Sequence, residues 1–149
     1  MREVVRELRP YSPNGRLIVL SYSLATEYEP SKPTHAISVM GPQYPPVLPG
    51  LPDFDSVLSL RFEDTHEGSD EHRFTEEDAR RIWDFITGIG KQQHDLVVHC
   101  EAGMSRSAGI AVGLTKCLLP GQEAWYFEQH VPNRHVAALL VSAFKSNLQ

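Results

Sequence analysis

The chain reads as an α/β fold: a three-layer sandwich in which a central, mostly parallel sheet of four to five strands is flanked by helices. Three observations predict this class. Short apolar runs of strand length, rich in Val, Leu and Ile, alternate along the sequence with longer segments of helical periodicity. The run Leu96, Val97, Val98 is apolar without alternation, the pattern of a strand covered on both faces. Residues 106–118 are apolar almost all round, as a helix buried among other elements must be.

The elements follow in order. Asn14-Gly15 forms a turn that opens a strand over 16–22. A second strand covers 35–40 and is closed by Gly41-Pro42. Residues 43–53 are proline-rich, so they predict an ordered but irregular loop. A third strand over 54–62 runs through Val57, Leu58 and Leu60, and the polar stretch 63–73, with His66 and His72, is a surface loop. Thr75 and Asp78 have the spacing of a capping box, with Phe74 and Ala79 as its hydrophobic staple. The helix that follows puts Ala79, Ile82, Trp83, Ile86 and Ile89 on one face, and Gly88 and Gly90 mark its end. The central strand comes next at 96–99, then the apolar helix 106–118, which Pro120-Gly121 stops. A short helix over 122–129 precedes an amphipathic one over 134–145 with Val136, Leu139, Leu140, Ala143 and Phe144 inward. No internal repeat, linker or low-complexity segment interrupts the series, so residues 1–149 are expected to form one domain.

Composition narrows the function classes. With 41% hydrophobic and 22% charged residues, the chain has the balance of a soluble globular protein. Its apolar runs are too short to cross a bilayer, and its first seven residues lack the apolar core of a signal peptide. A net charge of −5 argues against nucleic acid or an anionic membrane as principal partner. Two cysteines, one of them best kept as a thiol, suit a reducing compartment. The expectation is a cytoplasmic monomer.

The chemistry concentrates in one stretch, from Val97 through His99, Cys100, Glu101, Ala102, Gly103, Met104, Ser105, Arg106 and Ser107 to Gly109. Cys100 and Arg106 stand at the two ends of a short loop between an apolar strand and a helix of small residues. The amides of such a loop and of the helix N-terminus make an anion site, and that positive environment favours a thiolate. A thiolate held against a bound phosphate is a nucleophile facing phosphorus. Arg106 would grip two phosphoryl oxygens with a planar fork that lysine lacks, and the amides from Glu101 to Arg106 would hold the rest. The competing readings are plain ones: a buried structural cysteine, a solvated arginine in a first helical turn, an ordinary first-turn serine. A cation at that unfavourable end of a helix makes better sense beside an anion. Cys117 lies on an apolar helix whose length separates it from Cys100, so it reads as core, as do Trp83 and Trp125. His66, His72 and His94 have no partner at ligand spacing, so neither metal nor cofactor is expected.

His99-Cys100-Glu101-Ala102-Gly103-Met104-Ser105-Arg106-Ser107 resembles the signature loop of the cysteine-dependent protein tyrosine phosphatases, and most of all their compact dual-specificity branch. The resemblance is strongest over 57–119 and extends to Thr34-His35-Ala36-Ile37-Ser38-Val39 and Val131-Pro132-Asn133. It implies that Ser107 bonds the cysteine sulfur and that His99 buttresses the loop. It also implies an aspartate general acid on the loop that follows the strand before the long helix. Asp64 stands at that point, with Glu63, Glu67 and Asp70 as neighbours on the same loop. The reaction so implied is metal-independent hydrolysis of phosphotyrosine proteins or small phosphomonoesters, with phosphoserine and phosphothreonine admitted by a shallow pocket. A rhodanese-like sulfurtransferase and a phosphate-binding module without turnover remain alternatives. Phosphoinositide or RNA substrates favour basic loop residues, and Glu101, Ala102, Met104 and Ser105 offer none.

Overall fold

The computed structural model describes residues 8–12, 15–65, 72–89 and 94–147. In chain order its elements are β1 (Leu8–Ser12), β2 (Gly15–Ser21), α1 (Tyr22–Glu27), β3 (Thr34–Met40), β4 (Ser56–Arg61), α2 (Glu76–Ile89), β5 (Asp95–Cys100), α3 (Arg106–Leu118), α4 (Ala124–Gln129) and α5 (Arg134–Asn147). One sheet takes the strands in the order β1-β2-β5-β3-β4. Strands β2, β5, β3 and β4 are parallel, and β1 closes one edge antiparallel to β2. Every residue of β5 is buried, as its unbroken apolar run requires of a strand in mid-sheet.

The two faces are covered unequally. On one side, Leu17, Val19, Ile37, Val39, Leu96 and Val98 join Ile82, Trp83, Ile110, Leu114 and Leu140 of α2, α3 and α5 in the larger core. On the other side a thinner layer covers Ile18, Leu20, Ala36 and Val97; it is built from Ala25 of α1 and Phe54 of the proline-rich loop. The expected three layers are present. Buried between the sheet and α5, α3 needs its apolar circumference, and Trp83 of α2 ties the helices by donating from Nε1 to the Leu140 carbonyl at 2.9 Å. Cys117 packs against this core, where burial pushes its thiol up to about 11. No helix among the described residues is long and apolar enough to cross a membrane.

Several boundaries differ from the sequence reading for local reasons. The strand expected over 16–22 stops at Ser21, whose hydroxyl accepts from the Leu24 amide at 3.1 Å and so starts α1 at Tyr22. Strand β1 was not expected, because Pro10 lowers the strand signal; an antiparallel edge tolerates that proline. Gly15 belongs to β2 rather than to a turn, and Gly88 to the last turn of α2. Asn14, His66, Glu67, Asp70 and Gly90 lie outside the described residues. The capping box forms as expected: Thr75 Oγ1 accepts from the Asp78 amide at 3.2 Å, and Asp78 accepts from the Thr75 amide at 3.0 Å.

Parallel register brings Ser21 beside Cys100, Ser38 beside His99 and Met40 beside Arg61. The carboxyl ends of four strands therefore open onto one edge, where an open α/β sheet offers a crevice. The loops that leave β4 and β5 meet there.

Candidate active site

Cys100 is the last residue of β5 and is buried. Its sulfur lies 3.1 Å from Ser107 Oγ and 3.2 Å from the Gly103 amide nitrogen, which donates to it. A hydrogen bond donated to sulfur favours negative charge on it, and the Ser107 hydroxyl can donate a second one. The loop curls tightly enough to make these contacts because Gly103 adopts φ +72°. A Cβ there would stand 2.6 Å from the Ser21 amide nitrogen and 2.7 Å from the Leu20 carbonyl carbon, so any side chain would collide with β2. Outside the curl, the Val131 amide donates to Met104 O and the Asn133 amide to Ser105 O, each at 2.9 Å. Ala102 and Met104 turn outward.

Arg106 opens α3 and is buried. Its Nη1 donates to the Phe62 carbonyl at 3.0 Å, which fixes the guanidinium against the loop leaving β4. Nη2 lies 3.5 Å from Glu101 Oε1, and Tyr44 of the proline-rich loop donates to Glu101 Oε2 at 3.3 Å. The sequence reading assigned Glu101 only through its backbone. Its half-exposed carboxylate is in fact the present partner of the arginine.

Ser105 precedes α3 but does not cap it with its side chain. Its hydroxyl donates instead to Asp64 Oδ1 at 2.8 Å, so the first-turn amides of α3 stay open toward an anion. Asn133 Nδ2 donates to the same Asp64 oxygen at 2.8 Å and to Thr65 O at 2.8 Å. Asp64 Oδ2 makes no hydrogen bond among the described residues. Thus the acid-bearing loop is anchored to the cysteine loop, with one carboxyl oxygen held and one left for other work. Glu63 is exposed on the same segment, and its amide donates to His72 O at 2.8 Å.

His99 sits beneath the loop, fully buried, with Nε2 2.8 Å from Ser38 Oγ and Tyr22 stacked on the ring at 5.8 Å. Burial pushes its pKa down to about 4, so the imidazole is neutral at neutral pH. Its contact from Nδ1 to Cys100 O, at 3.4 Å, is long for a hydrogen bond. The ring's place is structural.

The structure therefore brings Cys100, Ser107, Arg106, Asp64 and the loop 101–105 into one crevice. It adds Asn133, fully buried, which sequence reasoning noted but gave no role. Its Oδ1 accepts from the Val136 amide at 3.1 Å and caps α5 while its Nδ2 holds Asp64. An asparagine just before a helical run was the available signal. Tyr44 carried none, since its contact depends on the path of an irregular loop.

No protein-family model and no curated protein matches the chain. Solved structures do. Human tyrosine phosphatase-like serine/threonine/tyrosine-interacting protein superposes with a TM-score of 0.63 at 21% identity, over 97% of this chain and 99% of that one. PTP-2 phosphatase of Cydia pomonella gives 0.62 at 17% identity, over 91% and 89%. A mouse putative dual specificity phosphatase, solved with zinc tungstate, gives 0.56 at 14%, over 94% and 87%.

Proposed function

From a chain with the fold of the dual-specificity and tyrosine phosphatases, we propose a cysteine-dependent phosphatase that hydrolyses phosphomonoesters, with phosphotyrosine proteins as the preferred class. The observation that carries this reading is the convergence on Cys100 Sγ of the Gly103 amide and the Ser107 hydroxyl, in a loop closed by a buried Arg106. A structural cysteine has no need of two polar partners and a buried guanidinium.

In the first step Sγ attacks phosphorus, a sulfur–phosphorus bond forms, and the ester P–O bond breaks. Asp64 delivers its proton to the departing oxygen. Arg106 and the loop amides hold the equatorial oxygens, where the transition-state charge lies. In the second step water attacks phosphorus and gives its proton back to Asp64. The sulfur leaves as thiolate, stabilised by Ser107. No step requires a metal. With Met104 and Glu101 exposed at the rim, phosphoserine and phosphothreonine are included in the proposed substrate class.

One observation favours a second reading, a phosphate-binding module with little turnover: Glu101 already occupies Arg106. Hydrolysis of 4-nitrophenyl phosphate by the wild type and by Cys100→Ser separates the two. The enzyme reading expects measurable turnover that Cys100→Ser abolishes while vanadate binding persists. A protein that binds vanadate yet never turns over supports the binding module. Wild-type turnover in Cys100→Ser contradicts the covalent mechanism.

A further inference from the structure

At the edge of the sheet opposite the crevice, three separate segments bring two imidazoles and a carboxylate together. His35 is the second residue of β3, Asp55 immediately precedes β4 and His94 immediately precedes β5. One ligand atom from each lies within 4.8 Å of the others. His35 and His94 meet edge to edge, with His35 Nε2 2.8 Å from His94 Nδ1 and ring planes 26° apart. On its far side His35 Nδ1 lies 2.6 Å from Ser56 Oγ. The tautomer with its hydrogen on Nδ1 donates to Ser56 and leaves the Nε2 lone pair facing the cluster. Metal-binding histidines are oriented by such a second hydrogen bond. The Asp55 amide donates to Thr34 O at 2.8 Å, which fixes the carboxylate's segment against the start of β3.

We propose that His35, Asp55 and His94 form a binding site for a divalent transition metal, with Zn²⁺ as the ion they suit best. Two imidazoles and one carboxylate are zinc ligands, whereas Mg²⁺ and Ca²⁺ take oxygen sets. Tetrahedral zinc, with Zn–N of about 2.0–2.1 Å, separates two ligand nitrogens by about 3.3 Å. The two rings must part by roughly half an ångström and turn so that their lone pairs converge. For both rings to ligate one ion, the hydrogen now shared between their facing nitrogens must leave that position. A cavity of about 230 Å³, lined by His35, Ser56, Asp84 and Phe85, adjoins the His35 ring on the side of α2 and leaves that ring room to turn.

The site would be a clip rather than a catalytic centre. His35 pairs with Leu96, and Cys100 lies four residues further along β5, roughly 13 Å at strand rise. Joining the starts of β3, β4 and β5 stabilises the fold by mass action. Sequence spacing could not show this, because the three ligands are 20 and 39 residues apart and only the parallel register gathers them.

The test uses the full chain carrying Cys100→Ser, so that the reactive sulfur cannot bind the metal. Zinc chloride at about a hundredfold over its Kd should raise the thermal midpoint by roughly 5 °C or more, reversibly with EDTA. Cobalt chloride should bind at one equivalent with the visible absorption of a four-coordinate site. His94→Ala, and independently Asp55→Asn at an exposed position, should remove the one-equivalent cobalt spectrum and most of the zinc response. A parent that shows no one-equivalent binding overturns the proposal. So does a response that survives either substitution.

Discussion

The proposed chemistry of the crevice rests on a few side chains whose partners are visible. Asp64 takes both of its hydrogen bonds on Oδ1, from Ser105 and Asn133, and keeps Oδ2 clear of the described residues. In its proposed role as general acid it would matter in proportion to how poor the leaving group is. Asp64→Asn should slow hydrolysis of phosphotyrosine by roughly two to four orders of magnitude and an activated ester far less. The alkaline limb of the pH–rate profile should flatten in this variant. If that limb persists and Glu63→Gln flattens it, the acid is the neighbouring residue. In the proposed reaction Glu101 would act in the opposite sense, its carboxylate competing with substrate for Arg106. Glu101→Gln should lower KM for 4-nitrophenyl phosphate by roughly three- to tenfold at low salt, with kcat little changed and the gain shrinking as salt screens the pair. An unchanged KM would show that the contact yields to substrate without cost.

Among the elements, the approach of α3 to the start of α5 sets the site. Gly109 lets them meet: a Cβ there would lie 2.6 Å from the Asn133 carbonyl oxygen and 3.2 Å from its Cβ. Gly109→Ala should therefore cost about 1–3 kcal/mol in urea unfolding. Since Asn133 holds Asp64, it should also reduce phosphotyrosine turnover more than that of an activated ester. Equal losses on both substrates would mean that the helix contact is structural only. Much of this was legible in the sequence, because it rests on local signals. The capping box at Thr75 and Asp78, the unbroken apolar run of β5 and the Cys100–Arg106 loop each declare themselves over a few residues. What was not legible depends on distant partners. Strand β1 exists only by pairing with β2, Glu101 reaches Arg106 only through the curl at Gly103, and Asn133 meets Asp64 across 69 residues. Ser21 is the instructive local miss: a serine at a strand end can cap a helix, and here it does.

At the scale of the molecule, the loop is seated on an imidazole that the fold keeps uncharged. In the unfolded chain His99 takes up a proton as pH falls through its ordinary 6.5; in the fold it does so only near 4. Between those values the unfolded state binds more protons, so stability present above pH 6.5 is lost as pH falls toward 4. His99 should account for on the order of 2 kcal/mol between pH 7 and pH 5, and His35, lowered by burial, adds in the same direction. Urea unfolding of wild type and His99→Gln at both pH values checks this. The variant should show a shallower pH slope whatever its absolute stability, and an identical slope would move the acid sensitivity elsewhere.

The central claim is that Cys100 Sγ becomes bonded to phosphorus during turnover. Its direct test is acid quenching during steady hydrolysis of 4-nitrophenyl phosphate, followed by mass measurement of the intact chain and of the peptide containing Cys100. A phosphoryl adduct on that peptide, present during turnover and absent both without substrate and in Cys100→Ser, is the result expected. The adduct should accumulate further in Ser107→Ala, where the sulfur leaves less readily. Sustained turnover by Cys100→Ser at the wild-type rate, or an adduct confined to another residue, would contradict the account.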